Sequence, residues 1–523
     1  MRVKILPNKQ LLYIEECSIE EHKSLKNYIN FFTKNYRFDK RFKLGIWDGK
    51  IHFYGDDRLL PIGLWRELYK CCQECGYQLN IINPSDFPID KRVTLKDVQN
   101  FSDTFFKFHR TKDNKSEFTP RDYQVEASYN ILKNRYCNTE IATSGGKSVT
   151  FSMVVFYTLK YLNPDAKFLL VVPSAMLVRQ FYDDIIDYNY GFHNENPDPL
   201  DIRLEEIMSD KPRRRLPGEK EAQVHIGTYQ SLCKYPKEWF DQFYCVCFDE
   251  AHGSKASSVQ KIGNNCIPNA YIRSGMSGTY PEKDTAELTA IQSITGPIIT
   301  KIKAKKLMDS GAISKVKIKR IILDHNDPDF HDRVNTIRRG DGKKAYDLEV
   351  SYIQESKPRI NIIHKICDSA KANTLVLFKN IAYGKALFEK INELTLDGKK
   401  RVFYIDGDTK ESERAEIKRQ MELTDVPAIL VASYGTLSTG VSINAIQNVI
   451  LADSYKSYQK VIQAIGRALR LHKLKSMAYI FDMVDRYTLD KNRKNNTLFD
   501  HSLERVKMYN AEEYPYEDII IRL

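Results

Sequence analysis

The 523-residue chain contains no uninterrupted apolar run of the ~18 or more residues that a membrane-spanning helix requires. Its opening, Met1 to Glu16, has neither an apolar stretch of signal-peptide length nor a small-residue cleavage site. No internal repeat and no low-complexity tract is visible. The ten cysteines supply no framework: Cys72 and Cys75 make one C-x-x-C beside Cys71, but no second pair or His cluster follows at zinc-finger spacing. Cys245 and Cys247 alternate with apolar neighbours and read as buried strand residues. These absences exclude a small stapled scaffold and weigh against a helical membrane protein. They set the expectation of a cytoplasmic protein with reduced thiols and no membrane partner.

What is present is ordinary globular material. Apolar residues make up 42% and charged residues 28%, enough for real cores. The length predicts three or four domains at ~100–200 residues each. Lys and Arg number 80 against 68 Asp and Glu, a net charge of +12. A field of that sign suits an anionic partner but does not define one.

Residues 1–105 read as a small α+β domain, with strand signals at Arg2 to Leu6 and Lys50 to Tyr54. Thr111 to Glu117 is polar and poorly patterned, and residues 106–118 read as a linker. From 119 the pattern changes to short apolar runs separated by helix-length segments. Phe168 to Pro173, Val224 to Ile226 and Phe243 to Phe248 form one set. Thr374 to Phe378, Arg401 to Ile405, Ala428 to Ala432, Val449 to Ala452 and Ala478 to Phe481 form a second. Such runs are the mark of parallel sheets buried on both faces. Two α/β lobes are expected, 119–310 and 311–486, with a polar surface loop or insertion at 324–348. A basic tail, 487–523, carries a helix from Leu498 to Tyr509.

The strongest chemical signal is Ala142-Thr-Ser-Gly-Gly-Lys-Ser148. Gly145 and Gly146 let backbone N–H groups turn toward a phosphate, and the helix that follows adds its positive end. Thr143 and Ser144 complete a small flexible loop. Lys147 is placed to reach the β- and γ-phosphates of ATP and Ser148 to ligate Mg²⁺. Ile141 stands where the strict phosphate-loop pattern wants glycine. About a hundred residues on, Asp249-Glu-Ala-His252 closes an apolar run, so both acids should face the crevice at a strand's carboxyl end. Asp249 suits the Mg²⁺ shell and Glu250 suits deprotonation of an attacking water. A third segment, Gln463 to Arg470, places Gln463, Arg467 and Arg470 on one helical face. From there the two guanidiniums could act as arginine fingers.

These pieces, in this order, resemble the superfamily 2 helicases of DEAH-box type, over roughly residues 118–485. The resemblance implies two RecA-like lobes in tandem, ATP as substrate with Mg²⁺, and nucleic acid as partner. It identifies Gln124 in Pro120-Arg-Asp-Tyr-Gln124 as an adenine-reading amide. Val171 to Gln180, Gly227 to Leu232, Ser277-Gly-Thr279, Leu377 to Asn380 and Ala432 to Ser442 look like its further motifs. They carry the candidate nucleotide contact Gly440 and the candidate strand contacts Thr228, Lys379 and Thr436. Val441 and Ser442 follow Gly440 where many members have Asp.

The block Tyr36 to Lys50, with Arg58 to Leu64 and Tyr235 to Phe240, is similar to a bacteriophage branch of that superfamily. That branch unwinds branched DNA (Holliday junctions, forks and R-loops) in replication, recombination and repair. Residues 33–50 hold six cations against two aspartates, interleaved with Tyr36, Phe38, Phe42 and Trp47. Arg37, Arg41 and Trp47 are the candidate nucleic-acid contacts there, cations on phosphates and rings on exposed bases. Packing of those aromatics as a small core is the competing reading. The expected partner is DNA, branched, single-stranded or forked, or an RNA–DNA hybrid, with the chain acting as a monomer. Other readings are a double-strand translocase, an RNA helicase, and a DNA-binding scaffold with an inactive ATPase. No nuclease motif is evident, and intact Lys147, Ser148, Asp249, Glu250 and Arg470 oppose the last.

Overall fold

The computed structural model describes the chain outside residues 7–9, 34–35, 113, 209–220, 252–259, 264–269, 282–284, 397, 399, 423–425, 439–444, 454–460, 463, 467–476 and 491–492, and outside the side chains of 411, 437 and 438. Two compact units divide it: Met1–Ile302 without residues 142–145, and Lys303–Leu523 with them.

The first unit opens with a four-stranded sheet of order β5-β2-β1-β6. Its strands are β1 (Arg2–Leu6), β2 (Leu11–Glu16), β5 (Leu59–Pro61) and β6 (Asn80–Ile81). The alternation of buried and exposed residues along β1 fits a sheet with one face in a core. That core is Val3, Ile5, Leu12, Ile14, Leu25, Leu60 and Leu68. Helix Trp65–Glu74 buries Cys71 and Cys72 in it and leaves Cys75 exposed. A short ribbon, β3 (Phe31–Phe32) with β4 (Lys50–Ile51), projects the basic block. The expected strand to Tyr54 stops at Ile51 because a side chain takes over. Asn30 Oδ1 accepts from Phe53 N at 2.8 Å and Tyr54 N at 3.1 Å, and Asn30 Nδ2 donates to Tyr54 O at 2.9 Å.

The second sheet of this unit has seven parallel strands in the order β13-β7-β12-β11-β8-β10-β9. They are β7 (Tyr136–Ile141), β8 (Phe168–Val172), β9 (Leu204–Ile207), β10 (Val224–Thr228), β11 (Cys245–Asp249), β12 (Ile272–Ser277) and β13 (Ile298–Ile302). Every residue of β7, β8, β10, β11 and β12 is buried, as two-sided cover demands. The small sheet's domain is fixed to this one. Tyr136 Oη donates to Gln10 Oε1 at 2.6 Å, and Arg66 donates to Ile298 O at 3.3 Å. Gly63 lies against the carbonyl of Gln292, where any Cβ would strike backbone.

The second unit holds another seven-stranded parallel sheet, of order β16-β17-β15-β18-β19-β14-β20. Its strands are β14 (Lys315–Asp324), β15 (Thr374–Phe378), β16 (Arg401–Ile405), β17 (Ala428–Ser433), β18 (Asn448–Leu451), β19 (Met477–Arg486) and β20 (Tyr516–Arg522). The tail helix runs Thr497–Ala511, and β20, beyond it, adds a strand that sequence reading does not anticipate. Its half-exposed pattern is that of an edge strand and lacks a buried strand's continuous apolar run.

The polar segment expected as a loop at 324–348 is instead two helices, Pro328–Gly340 and Gly342–Glu355. Asp327 caps the first through Phe330 N, and Asp341 caps the second through Lys343 N and Lys344 N. The apolar spacing of Phe330, Val334, Ala345 and Ile353 carries the pair, and their polar outer faces hid it from composition. Among the described residues no helix is long and apolar enough to cross a membrane.

Candidate active site

The phosphate loop follows β7, which lies between β12 and β13. Gly145 N donates to Ala142 O at 2.9 Å, and Ser144 and Gly146 both have positive φ, 70° and 82°. Gly146 is the N-cap of helix Lys147–Tyr157, and its left-handed backbone favours glycine. Space makes the same demand, because a Cβ there would run into the Gln124 amide. The helix is buried along Val149 to Tyr157, which fixes the first turn that carries Lys147 and Ser148. Gln124 is buried beside the loop on helix Asp122–Asn134, its Oε1 accepting from Arg121 N at 2.8 Å.

Asp249 ends β11, the central strand of the sheet, in register with Met276 of β12. Tyr229 Oη donates to the Asp249 carbonyl at 2.7 Å. Glu250 follows with φ of 47°, an uncommon conformation for a residue with a side chain, and this turns it back toward the helix. Lys147 Nζ donates to Glu250 Oε1 at 2.6 Å and lies 3.6 Å from Asp249 Oδ1. Burial opposes the charge on Lys147, but the two carboxylates outweigh it and its pKa is raised. Burial lifts Asp249 from an ordinary 3.8 to about 6 although Lys147 works against the rise. Asp249 Oδ1 is buried and accepts no hydrogen bond among the described residues. A hard cation held through oxygen would answer that deficit, so the donor set of Asp249 with Ser148 fits Mg²⁺.

Two residues beside Ser148 were not found by sequence reasoning. Ser148 Oγ is 3.5 Å from Tyr188 Oη, and Asp184, one turn earlier on helix Ala175–Tyr190, also bonds Ser148. Burial raises the Asp184 carboxyl pKa and the Ser148 contact works against it. The only signal for them is their four-residue spacing, which the other acids on that helix, Asp183 and Asp187, obscure.

The remaining candidates separate by exposure. Thr228 is buried, its hydroxyl capping the turn at Ser231 N and donating to Ser231 Oγ at 2.9 Å. Thr436 is buried too, and its hydroxyl donates to Ser433 O at 2.8 Å. Lys379 is exposed, with its backbone N–H donating to Asp453 Oδ2 at 2.6 Å. Ser277 and Thr279 close on each other through Ser277 Oγ.

In the basic block Tyr36 stacks on Phe32 and meets Phe42 edge-on, and Trp47 Nε1 donates to Lys50 O at 2.9 Å. Phe38 remains 77% exposed. The aromatics therefore divide, three packed into the ribbon and one presented to solvent. Arg41 sits over the Trp47 ring at 4.9 Å and pairs with Asp39, and Arg37 lies over Tyr36 at 5.7 Å. Gly440, Gln463, Arg467 and Arg470, and His252 of the acidic motif, lie outside the described residues.

Two tandem seven-stranded parallel sheets, with a phosphate loop and an acidic pair at the strand ends of the first, define a superfamily 2 helicase. Residues 10–82 match the family described as DNA helicase UvsW, N-terminal. Residues 117–282 match Type III restriction enzyme, res subunit, and 358–472 match Helicase conserved C-terminal domain. The chain is 30% identical over 516 residues to the ATP-dependent DNA helicase uvsW of Enterobacteria phage T4, covering 96% of each. It is 25% identical to Putative helicase 22 of a Sulfolobus islandicus filamentous virus, over 97% of this chain and 83% of that one. The fold is shared with a putative HsdR subunit of a type I restriction enzyme from Vibrio vulnificus, at TM-score 0.54 and 17% identity, over 90% of this chain and 78% of that chain. The chain belongs to the UvsW family of ATP-dependent DNA helicases. The resemblance to superfamily 2 helicases, and to the phage branch within them, is thereby borne out.

Proposed function

We propose that this helicase spends ATP to unwind or branch-migrate branched DNA, namely four-way junctions, forks and R-loops, in phage replication, recombination and repair. It would act in the host cytoplasm as a monomer. The observation that carries the chemistry is Lys147 held between Asp249 and Glu250, with Asp249 Oδ1 lacking a hydrogen bond among the described residues. In that reading the backbone N–H groups of Thr143 to Gly146 cradle phosphate, and Gln124 reads the base. Lys147 leaves Glu250 for the β- and γ-phosphates when nucleotide enters. That exchange frees the Glu250 carboxylate to take a proton from the attacking water. Ser148 and Asp249 would hold Mg²⁺, which neutralises charge building on the phosphates. Asp184 and Tyr188 keep the Ser148 hydroxyl oriented. Gly440, Gln463, Arg467 and Arg470 are assigned to nucleotide on sequence alone.

For the DNA side, Lys379 and the exposed cations Arg37 and Arg41 contact phosphates. Thr228 and Thr436, with committed hydroxyls, shape the turns that would meet a strand. Trp47 supports the ribbon. Strand displacement tests the reading. Forked and four-way substrates should be opened with ATP and blunt duplex should not. Equal ATP consumption on blunt duplex without any strand separation would replace the proposal with a translocase.

A further inference from the structure

The helical hairpin Pro328–Gly340 and Gly342–Glu355 has no part in the chemistry above. It is firmly seated in the second unit. Phe330 stacks on Tyr352 with centroids 4.0 Å apart, and both meet Tyr487. Tyr352 Oη donates to Asp327 Oδ2 at 3.0 Å. Arg338 donates to Asp500 Oδ2 and to Asn495 O, each at 3.1 Å. Its base is tied to the motif that holds Lys379: Gln354 donates to Asp453 Oδ1 at 3.2 Å, and Asp453 Oδ2 accepts from Lys379 N at 2.6 Å.

Its tip is different. Residues 338–344 are all exposed and hold Arg338, Arg339, Lys343 and Lys344 against the single acid Asp341. Arg338 is used for anchoring and the Asp341 carboxylate for capping. Arg339, Lys343 and Lys344 make no ion pair among the described residues, and neither does Asp347 one turn on. Folding does not call for these charges. Arg339, at a helix C-terminus, is favourably placed, but Lys343 and Lys344 stand in the first turn of a helix, where the helix dipole repels cations. The Asp341 cap offsets part of that field, and the two lysines, on a rigid mount and in no ion pair among the described residues, remain free to meet an external anion.

We propose that Arg339, Lys343 and Lys344 form a second DNA-binding site that grips the phosphate backbone of a duplex arm. The inference rests on the helicase reading. Duplex is favoured over single strand because residues 338–344 include no aromatic side chain on which a base could stack. Phosphate neutralisation alone must then supply the affinity, and it yields more on duplex, where charge is denser. Through Asp453 the grip shares one rigid piece with the Lys379 segment.

The test uses the full chain with Arg339→Gln, Lys343→Gln and Lys344→Gln combined. Binding to a blunt duplex and to oligo(dT) is measured across a salt series without nucleotide. The duplex salt slope should fall by about 2–3, at ~0.9 per lost phosphate contact, with weaker duplex binding. Binding to oligo(dT) and the ATPase it stimulates should be unchanged. An unchanged duplex slope overturns the proposal, and so does an equal loss on both ligands. A wild-type chain whose ATPase no DNA stimulates would overturn the helicase reading instead, so the two failures are distinguishable.

Discussion

The two seven-stranded sheets share an architecture but partner their buried carboxylates with different cations. In the second, Asp482 of β19 is fully partnered. Arg505 reaches its two oxygens at 2.8–3.1 Å, and Tyr509 Oη donates to Oδ2 at 2.9 Å. Nearby, Arg359 donates to Asp485 Oδ1 at 2.8 Å and to Ala452 O at 2.7 Å. In the first sheet, the cation beside Asp249 among the described residues is a lysine 3.6 Å away, which bonds the neighbouring Glu250, and the Glu250 backbone N–H also bonds the Asp249 carboxylate. Planar, multiply bonded guanidiniums hold a structure in place. A single flexible ammonium shared by two carboxylates is a partner that can leave. Each sheet leaves one buried carboxylate oxygen unbonded among the described residues, Asp249 Oδ1 and Asp485 Oδ2, so what sets the candidate site apart is the kind of cation beside it, a lysine shared with Glu250 in place of a fixed guanidinium.

The largest effect that would sharpen this contrast is on turnover. Lys147→Ala should lower DNA-stimulated ATPase by at least ~10²–10³-fold, with Lys147→Arg, which keeps the charge, as a check on folding. Next in size is stability. Arg505→Leu leaves a buried carboxylate uncompensated and should cost about 3–5 kcal/mol in urea unfolding, with little change in turnover by the molecules still folded. If Arg505→Leu abolished turnover in folded protein, the division of labour between the sheets would be wrong.

A smaller effect depends on pH. Burial works against the Asp485 charge, but Arg359 and His325 prevail and hold its carboxyl down, from 3.8 to about 2. A lowered folded-state pKa stabilises above the unfolded value and is lost as pH falls toward the folded one. The stability gap between wild type and Asp485→Asn should therefore be constant above about pH 5 and shrink between 4 and 2. A gap that widened over that window would reverse the assignment. The smallest effect is expected at Asp249. Without nucleotide, Asp249→Asn should change stability by under ~1 kcal/mol, or increase it, because the fold gains little from that charge. A loss as large as that of Arg505→Leu would make Asp249 structural.

Both parallel sheets were legible in the sequence because two-sided burial forces continuous apolar runs, as in Phe168 to Val172 and Thr374 to Phe378. The phosphate loop and acidic pair were legible because their residue types have few other uses in that order. The hairpin at 328–355 was not, since polar outer faces masked a narrow apolar stripe. Edge strand β20 was missed for its mixed pattern. Asp184 and Tyr188 reach Ser148 only through the packing of one helix against another, which leaves no local signature. Nor could sequence divide the aromatics of the basic block, since Tyr36 and Phe38 are chemically alike and differ only in what folds over them.

The most direct test of the central claim is steady-state ATPase of wild type and Lys147→Ala on single-stranded, blunt, forked, four-way and RNA–DNA hybrid substrates. The account predicts that branched substrates stimulate the wild type most and that the variant stays flat on all of them. Stimulation that survives Lys147→Ala would contradict it.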